Sequence, residues 1–334
     1  MISEETYRIH RAIIYCVVLI FEVFGLFGNI NLVVLTVRKK TLQTKYGLIL
    51  SLLATLHTLC LLFELVDMSF SIAATLSSHP IRRSVCFHVI FSYIFIYSLQ
   101  TGTMSVLSLD LLIKIMYPLA HRNFRVRSYF VALFLVPVVY GFATVFFGFL
   151  YLDDAELQMC NPPSALHPLV NAKWYSFMMV FTLFTLFFYS TAFLLIYLKV
   201  RRRSKDIKLI EKKSMKTLKF LICIFLISRF ITISLANILL VLGVDKDISG
   251  LVQNYSIIAG VIGFSQNAYV CYFRSNEYRM LLHEQISKIH PRLARILSHR
   301  SADFSVDKGR NRQISMVSVS TTKQLVEKQK RLQF

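Results

Sequence analysis

Apolar residues in this chain come in runs too long and too continuous for a soluble fold. Seven such runs stand out, at about 12–37, 46–75, 86–113, 128–151, 174–199, 217–243 and 249–273. A helix rises about 1.5 Å per residue and about 20 apolar residues cross the hydrocarbon of a bilayer, so each run predicts a membrane-spanning helix. After Arg274 the pattern changes. Tyr278, Leu281, Leu282 and Ile286 alternate with Glu277, Arg279 and Lys288 at helical spacing. That predicts an amphipathic helix over 274–290, lying on a membrane face. The remainder, 291–334, is rich in Ser, Lys and Arg and reads as a disordered basic tail. Residues 1–11 form a short polar N-terminal segment. The expected fold is all-α: a seven-transmembrane helix bundle over 12–273, followed by a short amphipathic cytoplasmic helix.

Composition agrees with the pattern: 55% of the 334 residues are hydrophobic, 28 are Phe, and the mean hydropathy is +0.56. A net charge of +20 would suit nucleic acid, but its placement argues against that partner. Of the 38 Lys and Arg, 4 lie in 38–45, 4 in 114–127, 10 in 199–219 and 13 at or beyond Arg274. These segments alternate with poorly charged ones, as loops on the two sides of a membrane do. The basic side reads as cytoplasmic, with the N-terminus outside and the C-terminus inside. Glu4 and Glu5 precede a first run too long for a signal peptide, so the chain reads as a multi-pass protein with an uncleaved first span.

Polar residues inside the runs are the candidate chemistry, because each is costly to bury and needs a partner or a role. The first span carries Glu22 and, beside Gly25 and Gly28, Asn29. The second carries His57, about 16 Å inward from Tyr46, with Glu64 and Asp67 three residues apart on one face. The third carries Gln100, Thr101, Thr103 and Ser105, which either line a cavity or bond back to helix carbonyls. Arg229 lies about 18 Å into the sixth span. It either pairs with Glu22, Glu64 or Asp67 or awaits an anionic ligand. The fifth span opens at Trp174, the only Trp, a residue suited to the membrane interface. Glu22, Asn29, His57 and Asn267 form the expected intramembrane polar network. By depth, Glu64, Asp67, Tyr97, Gln100, Thr101 and Arg229 are the ligand-binding candidates. No third ligand completes a metal site with them, and no cofactor is expected.

Of six cysteines, Cys16, Cys60, Cys223 and Cys271 fall inside predicted spans. Cys86 and Cys160 lie on the outer, oxidising side and are the expected disulfide. It would pin the acidic loop YLDDAELQMCNPPSALHP across the head of the third helix.

Seven spans, the cysteine pair and the final amphipathic helix resemble a rhodopsin-like G-protein-coupled receptor, through motifs that keep their positions but are altered. Gly28-Asn29 matches the GN of the first helix, and SLLATLH at 51–57 matches SLAxAD with His57 in place of the sodium-binding acid. DLLIKIMYPL at 110–119 keeps the spacing of DRYxxIxxPL, with Asp110 retained and Leu111 for Arg. NAYVCYFRSNEYR at 267–279 matches NPxxYxxxSxxFR with Ala268 for Pro. CWxP is missing from the sixth helix. The wording GNINLVVLTVRKKTLQTKYGLILSLLATLHTLCLLFE with YFRSNEYR resembles the nematode serpentine chemoreceptors of class Srsx.

That resemblance implies a plasma-membrane chemosensory receptor of a sensory neuron. It would bind a small molecule in the outer half of the bundle and signal to a heterotrimeric G protein. The coupling surface would draw on Asp110, Lys114, Pro118, Leu119, Arg201, Arg202, Arg203, Lys212, Lys213 and Lys216. With no arginine at 111, Lys114 one turn on is placed to pair with Asp110 instead. Ser315, three residues after Arg312, is a phosphorylation candidate that would recruit an arrestin-like partner or weaken tail–membrane attraction. The alternative is a ligand-gated channel or transporter using the polar intramembrane residues as a path, which predicts internal repeats; none is found. An enzyme is not expected, for neither HExxH nor GxSxG occurs.

Overall fold

The computed structural model describes residues 4–77, 81–157, 160–202, 223–224, 226–230, 238, 242 and 246–289. In chain order these form α1 (Glu4–Arg38), α2 (Lys45–Ser77), the two-residue strand β1 (Ile81–Arg82) and α3 (Arg83–Met116). Next come α4 (Pro118–Asn123), α5 (Val126–Leu150), β2 (Glu156–Leu157), the short α6 (Pro162–Ala165), α7 (Pro168–Arg202), α8 (Lys246–Arg274) and α9 (Asn276–Ile289). Six of the described helices are long and apolar enough to cross a membrane: Ile9–Arg38, Lys45–Ala73, Arg83–Met116, Val126–Leu150, Pro168–Lys199 and Tyr255–Phe273. They answer to six of the seven predicted runs. The other, 217–243, lies mostly outside the described residues, apart from a π-helical turn at Leu226–Phe230 and a few single positions.

The helices end where the backbone chemistry requires it. Tyr117 leaves the helical region at φ −127°, ψ 62° because it precedes Pro118, whose ring crowds the residue before it. Pro118 then opens α4, at a position that needs no N–H donor. Many hydroxyls inside the spans are satisfied within their own helix. Thr36, Thr55, Thr58, Ser98, Thr103, Thr144 and Thr182 each donate to the carbonyl four residues earlier. In hydrocarbon that bond replaces the water a soluble helix would recruit.

The first and last spans are fastened along their length. Ser265 Oγ donates to the Phe21 carbonyl at 3.0 Å, Tyr269 OH to Phe24 at 2.8 Å, and Asn29 Nδ2 to Phe264 at 2.9 Å. Glycines permit the approach: a Cβ on Gly25 would come within 2.4 Å of the Ser265 hydroxyl oxygen, and one on Gly28 within 2.9 Å of Ala268. On the other side, α3 packs against α2, α5 and α7 and is the central helix. Gly102 there takes the ring of Pro137, and Gly148 of α5 takes the ring of Phe87.

One end of the bundle carries a covalent tie, Cys86–Cys160, with Cα atoms 5.6 Å apart, as expected from the cysteine positions. Around it β1 and β2 pair antiparallel, Ile81 opposite Leu157 and Arg82 opposite Glu156. Arg83 Nη1 donates to Asp153 Oδ1 at 2.6 Å and its Nε to the Ser164 carbonyl at 3.1 Å. Asn161 and Ser164 cap α6 reciprocally, satisfying both backbone donors. The acidic loop is thus held by strand pairing, an ion pair and a cap as well as by sulfur. Trp174 does not open its helix. The helix begins six residues earlier, at Pro168, so the indole is 3% exposed and donates to Ser98 Oγ at 2.9 Å inside the bundle.

A separate compact unit begins at Ser275. Its described part, α9, is capped by the Ser275 hydroxyl, which accepts from the Tyr278 N–H at 3.1 Å. Partial burial and the Arg279 charge hold the His283 imidazole below its ordinary value, which favours the neutral form.

The close contact at Gly148 gives a direct test. Gly148→Val would drive its side chain into the Phe87 ring, whose nearest atom lies 2.4 Å from a Cβ there. Overpacking of this kind costs about 1–3 kcal/mol, so the thermal midpoint of the purified protein should fall by several degrees. Gly260→Ala, where a Cβ meets no described atom within 4 Å, should leave it unchanged.

Candidate functional site

Among the described residues, three buried polar groupings lie along the bundle. The first is about 10 Å below the disulfide, seven helical residues down α3 from Cys86. There Tyr93 OH donates to Glu64 Oε2 at 2.6 Å. Asp67, one turn further along α2, is 2% exposed, and Ser71 another turn on reaches the Cys160 carbonyl at 3.4 Å. Glu22 of α1, 1% exposed, faces the same Glu64 charge, as does Asp67. Neither oxygen of Glu22 has a hydrogen-bond partner. Beside the carboxylates is a group of rings: Phe63 stacks on Tyr93 at 5.8 Å, and Tyr97 meets Tyr93, Trp174 and Phe264 at 6.0, 5.6 and 5.8 Å.

The second grouping centres on His57. Its Nε2 lies 3.0 Å from the Gln100 amide and its Nδ1 lies 3.2 Å from the Asn267 amide. A neutral imidazole offers one donor and one acceptor, so it bonds both amides only when one of them presents its oxygen. With the bond from Asn29 to Phe264, whose ring lies 5.4 Å from that of His57, this ties α1, α2, α3 and α8 together.

At the other end Asp110, completely buried, accepts from Tyr129 OH at 2.7 Å and lies 2.8 Å from His121 Nε2. Lys45 bonds the His121 carbonyl and sits 5.3 Å from the centre of the Tyr129 ring. The expected Asp110–Lys114 pair does not form: Lys114 points to the exposed surface and Asp110 turns instead to α4 and α5. Leu111 explains part of this. Standing where the resemblance puts an arginine, it packs on the apolar cluster of Leu112, Tyr189 and Ala192 and offers Asp110 no charge.

The structure therefore divides the residues read from sequence into these groups. Glu64, Asp67 and Tyr97 come together below the disulfide, joined by Glu22. Gln100 belongs with His57 and Asn267, while Thr101 bonds back to the Tyr97 carbonyl at 3.0 Å. Thr103 bonds its own helix, and Ser105 crosses to the Phe181 carbonyl of α7 at 2.7 Å. Pro118 opens α4 and Leu119 beside it is largely exposed. The side chains of Arg201, Arg202 and Arg229, and all of Arg203, Lys212, Lys213, Lys216 and Ser315, lie outside the described residues. His121, Tyr129 and Lys45 were not singled out from sequence. The available signal was that a buried aspartate requires donors, and His121 and Tyr129 are the nearest ones after it. Among the described residues no group of metal-ligating side chains closes around one point.

A membrane protein built of apolar helices, with a disulfide at one end and a buried aspartate at the other, has the layout of a serpentine receptor. The family model described as serpentine type 7TM GPCR chemoreceptor Srsx matches residues 22–286, and the chain belongs to that family. No curated protein matches the sequence.

The Asp110 grouping can be tested by removing its donors one at a time. Tyr129→Phe should cost about 1.5–2 kcal/mol, the worth of a hydrogen bond to a charged group. His121→Ala, which removes a second hydrogen bond from the same carboxylate oxygen, should cost about 1–3 kcal/mol. Lys114→Ala should cost nothing measurable. Thermal midpoints that do not separate the three variants would mean that the Asp110 carboxylate is served by water.

Proposed function

We propose that this chain is a chemosensory receptor of the plasma membrane that takes a small molecule in the outer half of its bundle and signals to a heterotrimeric G protein. The N-terminus and the disulfide end face outward. The basic segments, the amphipathic helix α9 and the tail face the cytoplasm, and residues 217–243 supply the remaining span. The observation that carries this reading is the arrangement of polar groups in a chain of this family. Incompletely satisfied carboxylates lie beneath the disulfide, and a hydrogen-bonded aspartate lies at the far end. His57 links three spans between them. A ligand with different affinity for two arrangements of these helices would shift their populations and so alter the far end.

At the inner face, Asp110 held by His121 and Tyr129 takes the place of the usual pairing with a neighbouring arginine. Outward movement of α4 and the start of α5 would release it. The exposed Lys114 and Leu119, with Arg201 to Arg203 and Lys212 to Lys216, complete the coupling surface. An arrestin-like protein would meet the tail around Ser315.

The test is Gα nucleotide exchange in membranes carrying the full chain, measured against a small-molecule panel. Ligand-dependent exchange is the expected outcome. Tyr129→Phe, which loosens the hold on Asp110, should raise ligand-independent exchange several-fold. Ligand-evoked current without any nucleotide exchange would replace the receptor with a channel.

A further inference from the structure

Lys45 is the first residue of α2, and its own helix has little use for a cation there. The unpaired N–H groups of a helix N-terminus favour an acid, and the first turn of α2 has none. The ammonium is directed to another element instead. It bonds the His121 carbonyl in the last turn of α4. That helix ends at Asn123 and the chain runs extended through Phe124 and Arg125, so the backbone does not continue to that carbonyl. A lysine from a neighbouring element is one way to satisfy such a helix end.

The same ammonium lies 5.7 Å from the centre of the Phe124 ring and 5.3 Å from that of Tyr129. Those two rings stack on each other at 5.7 Å, and the His121 imidazole meets Tyr129 edge-on at 5.6 Å. A cation within about 6 Å of a ring centre is attracted to the ring face. A neutral donor could bond the carbonyl, but only a cation is also drawn to both rings.

The groups that Lys45 touches are the ones that hold Asp110. The two donors to that buried carboxylate come from separate elements, His121 from α4 and Tyr129 from α5, and both reach Oδ1. Lys45 contacts both elements from a third. Leu111 beside Asp110 brings no charge, and Lys114, Arg122, Arg125 and Arg127 are exposed. Among the described residues none of those four bonds Asp110, His121 or Tyr129.

We infer that Lys45 is the positioning residue of this inner joint. It holds the end of α4 to the start of α5, keeps His121 and Tyr129 on Asp110, and so sets how much nucleotide exchange occurs without ligand. The inference rests on the receptor reading above and deepens it by naming a residue that regulates the Asp110 joint. The effect of Lys45 passes through the two donors, because its described contacts are with them and not with Asp110.

The experiment uses the full-length protein, purified for amide deuteration and in membranes for Gα nucleotide exchange without added ligand. Lys45→Met removes the charge and the carbonyl bond, Lys45→Gln keeps a donor without charge, and Lys45→Arg keeps both. Deuteration of residues 117–125 should speed up about tenfold in Lys45→Met, the scale of one lost bond from a charged group, and by less in Lys45→Gln. Ligand-independent nucleotide exchange should rise several-fold in the same order. Lys45→Arg should restore both readouts, and Lys114→Met should leave both as they are. In a Tyr129→Phe background the effect of Lys45→Met on nucleotide exchange should shrink, because residues acting through one network are not additive. Should Lys45→Met fail to fold, Phe124→Leu, which removes one of the two rings, carries the same expectation at smaller size. Unchanged deuteration of 117–125 in Lys45→Met, an arginine variant as impaired as the methionine one, or a full-sized effect in the Tyr129→Phe background would overturn the inference. Faster deuteration with no nucleotide exchange from any variant or ligand would leave the joint standing and remove the receptor reading. Ligand-evoked exchange with the Lys45→Met baseline unmoved would keep the receptor and remove the role of Lys45.

Discussion

Water does not serve the interior of a membrane-embedded helix bundle, so a polar group there must find its partner on its own helix or on the next one. Most features of this structure follow from that constraint. Many hydroxyls take the nearest solution and bond one turn back. Three buried amides reach across instead: Asn29 to the Phe264 carbonyl, Gln100 and Asn267 to the two nitrogens of His57. These few cross-helix bonds decide which spans are neighbours and in what register, because apolar contacts between helices in lipid carry little direction of their own. The glycines at 25, 28, 102 and 148 then allow the backbones to come close enough for the bonds to form.

The same constraint separates the two acidic regions. Asp110 is provided for, with a tyrosine and a histidine from two other elements and a lysine behind the histidine. Glu22 is not. Both bonds on Asp110 fall on Oδ1, and its Oδ2, like the two oxygens of Glu22, has no hydrogen-bond partner among the described residues. Asp110 reads as a fixed joint of the fold.

Much of this was legible in the chain. The lengths of the apolar runs located the described spans to within a few residues, and the position of two cysteines outside those runs identified the disulfide. Glu64 and Asp67 were placed together by helical spacing alone. What could not be read was long-range partnership. Arg83 and Asp153 are 70 residues apart and carry no pattern linking them. His121 and Tyr129 lie in what reads as a charged connection, so the i+4 neighbour Lys114 looked the nearer partner for Asp110. Local spacing cannot register a chain that turns back after Pro118. The start of the fifth span was placed too late for a related reason. Apolar content dates the start of a span from its first oily stretch, whereas the helix itself opens at Pro168, where proline needs no donor. Glu22 was recognised as costly, but which acid it faces depends on how α1 and α2 pack.

The fastening of α1 to α8 also bears on how the protein is made. The groups that satisfy Asn29, and that Gly25 and Gly28 were shaped to receive, belong to the last span to be synthesised. While the chain grows, the first helix stands in the membrane with a polar amide unmatched and a small-residue stripe uncovered. Assembly of this bundle is therefore completed only when α8 meets α1, and a chain truncated before α8 would be left with its first helix unfastened.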